Sequence, residues 1–461
     1  MFKKIISSVL CVFLAQTFAF ADDIYTSINN ILNSYDFERD SVVSVSISDK
    51  NTKSIVYTKN RYKMLNPASA LKVFTMASSI NTLGEDYSLN STIYKNKNDI
   101  YLKLSGDPYL TQGDLDELCK KLKTVYKGEI AKFYIDDTIM DFAPYPDGWM
   151  ADDTWPYEIK ISPYMIDKNT VKLDILVDKE NNTAKIVQKN AFEIPYINKL
   201  KVSDKTNIKF TKDETYNALI IEGEISDSII NKELPVINPK AYFCSKLQAA
   251  LIKNGITTGE KFFFAPVPKS ATPVAKINHS LFDTIKRILS TSDNIGAEMI
   301  FKIAGGKYAL MHNLSNPAVS NGSLGTTENG IIMFNDYYEN LGLDKKQVSI
   351  KDASGVSRYN AISVDWMASA LSSINFNIEK YLPAIGEGTL SRRLRELNGE
   401  GHLKTGTLKG LSSLVGTINI DDNEYYYASI IMSMNRASSV LKGVEDEIIY
   451  EIYRMKKNEN K

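Results

Sequence analysis

Asn66-Pro67-Ala68-Ser69-Ala70-Leu71-Lys72 is the stretch on which the reading of this chain turns. Asn66 is a helix-capping residue type, and Pro67 suits a first helical position, where its missing N–H would have no partner in any case. Ser69 then falls in the first helical turn, where free backbone N–H groups and the helix dipole favour developing negative charge. Lys72, three residues on, shares a helix face with the Ser69 hydroxyl. Such a pair can act as nucleophile and base, provided burial or a second cation keeps the lysine neutral. An ordinary helix start with a solvated lysine accounts for the same letters, and Ser439-Val440-Leu441-Lys442 repeats the spacing elsewhere. The rest of the chain has to decide.

At 461 residues the chain exceeds one ordinary core and predicts two or three domains. Apolar residues make up 43% and charged residues 24%, the balance of a globular protein rather than a disordered one. With 55 basic and 55 acidic side chains the formal charge is zero, so nothing points to nucleic acid or an anionic membrane as the main partner. Residues 1–21 read as a secretory signal peptide: Lys3 and Lys4 precede an apolar run, and Ala19-Phe20-Ala21 offers small residues for cleavage. The mature chain is expected to begin near Asp22, in the periplasm or cell-wall space, and no later stretch is apolar enough to span a membrane. Cys119 and Cys244 remain; a disulfide is permitted in such a compartment, and so are two simply buried thiols. Neither they nor His279, His312 and His402 are spaced as a zinc site, and no metal or cofactor is expected.

The texture changes along the chain. Val42 to Ser48 and Ser54 to Tyr57 alternate as paired strands, and the helix begun at Pro67 runs to about Leu83 with a face of small residues. Ile100 to Leu104 and Ala131 to Ile135 read as strands, with a helix from Asp114 to about Tyr126 between them. Residues 168–235 are short β-like runs, suggesting a small self-contained β module. Helical periodicity returns from Ser280. Leu403 to Thr407, Leu411 to Ile420 and Tyr425 to Met434 predict an antiparallel meander, followed by an amphipathic helix from Ser438 to Met455.

Two further motifs join the first. Ser292-Asp293-Asn294 offers a hydroxyl to relay a proton and an amide to hold a carbonyl, although Ser27, Ser88, Ser373 and Ser433 also begin Ser-x-Asn. Lys404-Thr405-Gly406 occurs once; on an edge strand, Lys404 and Thr405 can bind a carboxylate while Gly406 leaves room for a peptide backbone. In this order the three form the set shared by penicillin-binding proteins and serine β-lactamases. Asn66 to Ser69, Gly106-Asp107-Pro108-Tyr109-Leu110, Trp149 with Asp152-Asp153, Ser354 to Asn360 and Gly386-Glu387-Gly388-Thr389-Leu390 extend the match. On these residues the chain resembles the class C low-molecular-mass penicillin-binding proteins, D-alanyl-D-alanine carboxypeptidases and endopeptidases of the penicillin-binding-protein-4 type. Ala353 and Val356 stand where Gly and Leu are more usual in that family.

The resemblance implies an α+β fold of the serine β-lactamase/DD-peptidase type, an antiparallel sheet flanked by helices, built from 22–88 and 269–461. An inserted α/β domain would occupy 89–167 and 236–268, with a nested β domain at 168–235. It implies Ser69 as nucleophile, Lys72 as base and Ser292 as proton relay, with Asn294, Lys404, Thr405 and Thr407 binding substrate. Arg358 and Asp153 would grip a zwitterionic side chain of the stem peptide. Peptidoglycan stem peptides are the implied partners and β-lactam antibiotics the implied inhibitors. Two other readings compete: a β-lactamase, which the long insertion disfavours, and a non-catalytic peptidoglycan-binding protein of the same fold.

Overall fold

Val42–Asp49 alternates valine and isoleucine with serine, so as a strand it has one apolar and one polar face. The computed structural model describes residues 23–459, apart from 38, 128–129, 151–158, 190–194, 214, 216–217, 260, 316–320 and 421–422. The described chain is α+β and divides into two units. One comprises the N-terminal part to Glu85, Phe282–Ala297 and the chain from Ile331; the other comprises Asp86–Leu281 and Glu298–Gly330.

The first unit is built on a five-stranded antiparallel sheet in the order Gly401–Leu408, Leu411–Ile420, Asn423–Met432, Val42–Asp49, Ile55–Lys59. Val42 pairs with Met432 and Asp49 with Tyr425, so a strand near the N-terminus completes a sheet made mainly by the C-terminal meander. Val43, Val45, Ile47, Leu414, Ile418 and Ile431 form one face, buried with Ile24, Ile28 and Leu32 of a helix over residues 23–34 and Leu441, Val444 and Ile448 of the Ser438–Glu459 helix. Each fully buried side chain of this kind contributes about 1.5–3 kcal/mol. The Ala68–Leu71 turn and the Val364–Ser373 helix pack elsewhere on this sheet. The Lys72–Leu83 helix is buried at ten positions, Lys72 to Ile80 and Leu83. Its interior hydroxyls are satisfied, Ser78 and Ser79 both donating to the Thr75 carbonyl and Thr75 donating to the Ala353 carbonyl at 2.8 Å.

The second unit has a mixed five-stranded sheet in the order Phe262–Phe264, Phe133–Asp136, Asp99–Lys103, Ser88–Asn96, Thr272–Ser280. Its core is shared with the Gln112–Val125 and Pro239–Lys253 helices. Residues 170–235 form two three-stranded sheets. They were expected to be self-contained, but Leu173, Ile175, Leu219 and Ile221 join the same apolar core as Ile93 and Leu102. The expected boundary at residue 269 also shifts, because Thr272–Ser280 pairs with Ser88–Lys95 and so belongs to this unit. Cys119 and Cys244 lie on the two helices as free thiols. Burial pushes Cys119 up to about 12. Among the described residues no helix is long and apolar enough to cross a membrane.

One buried ionic cluster ties the last helix of the first unit to its sheet. Glu445 is fully buried and accepts hydrogen bonds from Ser412 (2.7 Å), Ser429 (2.9 Å) and Arg393 (3.1 Å). Arg393 also binds Asp446 at 2.7 Å. Burial raises the Glu445 carboxyl despite Arg393 and the two hydroxyls. Removing the cation while leaving the carboxylate buried is the costly change. Arg393→Ala should destabilise this unit by about 3 kcal/mol at pH 8. The loss should be smaller at pH 5, where Glu445 can take up a proton. Urea unfolding at the two pH values checks this; equal, small losses would mean the cluster is not coupled to folding.

Candidate active site

The polypeptide approaches Ser69 through a tight turn. Asn66 Oδ1 accepts from the Ala68 N–H at 2.8 Å, an Asx turn, and its amide donates to the Ser357 carbonyl at 2.9 Å. Ala68 has φ of +45°, which a helix cannot continue through. Ser69 therefore lies in a 3-10 turn, Ala68–Leu71, and the α-helix begins only at Lys72. This corrects the expectation of a helix starting at Pro67. The spacing survives the correction, because a 3-10 turn also brings residues i and i+3 together.

Lys72 is fully buried, and its Nζ has three oxygens around it: Ser69 Oγ at 2.9 Å, Asn294 Oδ1 at 2.7 Å and the Ser354 carbonyl at 2.6 Å. Ser69 is only partly buried, so its hydroxyl can be reached while its lysine cannot. Ser292 sits between the Leu281–Thr291 and Asn294–Met311 helices at φ +59°, an uncommon conformation for serine. Asp293 Oδ1 accepts from the Gly296 N–H at 3.0 Å and so caps the second helix, which fixes Asn294 at its start.

Lys404 and Thr405 come from the Gly401–Leu408 edge strand. Lys404 is also fully buried and donates to Ser292 Oγ at 2.9 Å and the Thr405 carbonyl at 2.8 Å. Burial, followed by the charge on Lys72, holds its amine well below the usual lysine range. Thr405 Oγ1 bonds Thr389 Oγ1 at 2.8 Å. Gly406 allows the strand to close on the Ser69 turn: a Cβ there would lie 2.7 Å from the Pro67 carbonyl oxygen and 2.9 Å from the Ala70 nitrogen. Thr407 follows, partly buried. Lys72 is thus joined by hydrogen bonds to Ser69 and Asn294, and Lys404 by another to Ser292.

The Ser354–Asn360 loop contributes more than its sequence suggested. Buried Asp352 accepts from the Gly355 and Ser357 N–H groups at 2.9 and 2.8 Å and from the Asn360 amide at 2.7 Å. Gly355, at φ +83°, packs so closely that a Cβ would lie 1.9 Å from the Ala68 carbonyl oxygen. This anchoring delivers the Ser354 carbonyl to Lys72. Sequence reasoning passed over Asp352 and Thr389 as site residues; each stands in or beside a stretch quoted above, but no letter marks a carboxylate that organises backbone. Arg358 is exposed on this loop. Asp153 lies outside the described residues. The decoy Ser439 is exposed in the first turn of the last helix.

A profile of the D-Ala-D-Ala carboxypeptidase 3 (S13) family matches residues 25–449. The chain is 24% identical over 432 residues to a D-alanyl-D-alanine carboxypeptidase of an Actinomadura species, covering 84% of this chain and 77% of that one. It is 24% identical over 400 residues to D-alanyl-D-alanine carboxypeptidase DacB of Haemophilus influenzae, covering 79% and 80% respectively. Its fold is similar to the crystal structure of penicillin binding protein 4 from Haemophilus influenzae, with a TM-score of 0.79 at 20% identity over 92% of this chain and 99% of that one.

Lys404 should act against folding. Its proton affinity is lower in the folded than in the unfolded chain, so from an ordinary value near 10.5 downwards the unfolded state holds the proton more tightly, and stability falls as pH drops. Lys404→Met should therefore raise the melting temperature at pH 7 and flatten the rise in stability between pH 7 and 10, while acylation by penicillin is lost. Calorimetry across that range checks the sign; a lower melting temperature in the variant at every pH would refute it.

Proposed function

The chain belongs to the D-Ala-D-Ala carboxypeptidase 3 (S13) family of serine-type hydrolases, and from that membership we propose that Ser69 is the nucleophile that opens the D-alanyl-D-alanine bond. The observation that supports this most is the Lys72 amine, buried and 2.9 Å from Ser69 Oγ. A neutral amine has two N–H donors and one lone pair. With the donors on Asn294 Oδ1 and the Ser354 carbonyl, the lone pair is left for the Ser69 proton.

Ser69 Oγ then attacks the carbonyl carbon between the two D-alanines, and Lys72 takes its proton. The backbone N–H groups of Ser69 and Thr407 receive the oxyanion, each a contribution of about 3 kcal/mol. Ser292 passes a proton to the leaving amine as the C–N bond breaks, and water later releases the acyl-enzyme. Asn294 holds the peptide. Lys404 and Thr405 bind the terminal carboxylate; placed beside Lys404, that anion favours the amine's charged form, offsetting the burial that disfavours it. Carboxypeptidase action removes the last D-alanine, and endopeptidase action on cross-links uses the same steps with a larger leaving amine. The apolar leader and its Ala19-Phe20-Ala21 end support export and cleavage near Ala21, which would place the enzyme beside peptidoglycan. We assign the first unit as the penicillin-binding domain and the second as an insertion within it.

Labelled benzylpenicillin should acylate Ser69 alone; label that survives Ser69→Ala, or maps to Ser439, would overturn the assignment. Lys72→Arg keeps the charge but cannot readily deprotonate, so acylation should slow by at least about 100-fold. A near-parental rate would point to another base.

Arg358 is assigned to the carboxylate of a stem-peptide side chain, which its planar fork can hold. Arg358→Ala should cost about 2 kcal/mol in kcat/KM for a diaminopimelate-bearing peptide while leaving benzylpenicillin acylation unchanged. Equal losses with both ligands would mean that Arg358 serves the loop instead.

A further inference from the structure

The Thr405 hydroxyl, a ligand of the terminal carboxylate on the reading above, already has a partner. Thr405 Oγ1 donates to Thr389 Oγ1 at 2.8 Å. A threonine hydroxyl carries a single proton. In this arrangement Thr405 has committed its own to Thr389 and has none left for a carboxylate. The Thr389 proton remains, because among the described residues Thr389 Oγ1 has no other hydrogen-bond partner. Accessibility divides the pair in the same sense: Thr405 is 8% exposed, whereas Thr389 is open to solvent.

The turn that carries Thr389 is fixed on several sides. It is the 3-10 turn Gly388–Leu390, closed by a hydrogen bond of 2.8 Å from the Leu390 N–H to the Glu387 carbonyl. Ile385 before it and Leu390 at its end are fully buried in the core on one face of the antiparallel sheet. The Ile385 N–H bonds the Gly401 carbonyl at 2.9 Å, and the Leu403 N–H bonds the Pro383 carbonyl at 3.2 Å, so the approach to the turn lies along the start of the edge strand. Gly388 packs so closely that a Cβ would stand 2.5 Å from the Ser290 carbonyl oxygen. The edge strand and the end of the Leu281–Thr291 helix therefore hold Thr389 in place. Glu387 and Arg392, both exposed, flank the turn with opposite charges, so what the turn offers is a hydroxyl rather than a net charge.

We propose that Thr389 is a direct ligand of the substrate carboxylate, donating its hydroxyl proton to it while Thr405 donates to Thr389. A carboxylate is an acceptor only, and a hydroxyl whose oxygen already accepts a hydrogen bond is the stronger donor for it. The inference rests on the peptidase reading above and deepens its carboxylate assignment: Thr405 acts through Thr389, and Thr389 is the residue that reads whether the leaving group carries a carboxylate.

The test uses the full chain and two thioesters of one N-acylated D-alanine, with mercaptoacetate or ethanethiol as the leaving group. Hydrolysis frees the same acid from both, and only the first thiol bears a carboxylate. Thr389→Val should lower kcat/KM for the mercaptoacetate thioester by about tenfold, the worth of one hydrogen bond to a charged group, and leave the ethanethiol thioester unchanged. Thr389→Ser keeps the hydroxyl and should match the parent on both. Equal losses on the two thioesters would make Thr389 a structural residue, and no loss on either would leave Thr405 as the hydroxyl ligand; each result overturns the proposal. A Thr389→Ser chain as impaired as Thr389→Val does so too. Failure of the peptidase reading looks different: a parent that hydrolyses neither thioester and is not acylated by benzylpenicillin refutes that reading, and the Thr389 assignment falls with it.

Discussion

The arrangement around Ser69 depends on the Lys72 amine, which is held out of water. Burying an amine is costly, and here the cost is offset by three oxygen partners drawn from separate parts of the sequence. Asn294 arrives on a capped helix, Ser354 on a loop wound around a buried carboxylate, and Ser69 on a turn that only a left-handed Ala68 permits. Loosening any one of these would let water or a different rotamer compete for the amine.

Lys404 extends the same logic. Burial and then the charge on Lys72 oppose the charge on Lys404, an arrangement that stability alone would not select. The strain is local, and large apolar faces elsewhere in the unit balance it. Ser292 is held against the second amine through its single hydroxyl.

Much of this was legible in the letters because the chemistry uses short local patterns. A three-residue spacing brings Ser69 and Lys72 together, and Lys404-Thr405-Gly406 lies on the edge strand expected of it; each pattern was weak alone and gained weight from the others. The meander and the last helix were also visible, since Leu411–Ile420 and Asn423–Met432 are long, apolar and close together in the sequence. What stayed hidden acts through backbone or over long range. The Ser354 carbonyl has no letter of its own, and Asp352 looks like any loop aspartate until four hydrogen bonds converge on it. Residues 170–235 looked independent because their strands are short and local, yet their buried side chains meet a core formed by residues far away in the chain.

The pairing of Val42–Asp49 with Asn423–Met432 has a consequence for biosynthesis. A nascent chain presents the first of these strands early and must hold it unpaired until nearly the last codons have been read, because most of the polypeptide lies between the partners. The intervening unit shortens that wait. Ser88 pairs with Ser280, and the Leu281 N–H bonds the Tyr87 carbonyl at 2.9 Å, so the two ends of the unit's Asp86–Leu281 segment lie side by side. Once it has folded, a loop of nearly two hundred residues shrinks to the span of one hydrogen bond, and the entropy of closing the outer sheet falls with it.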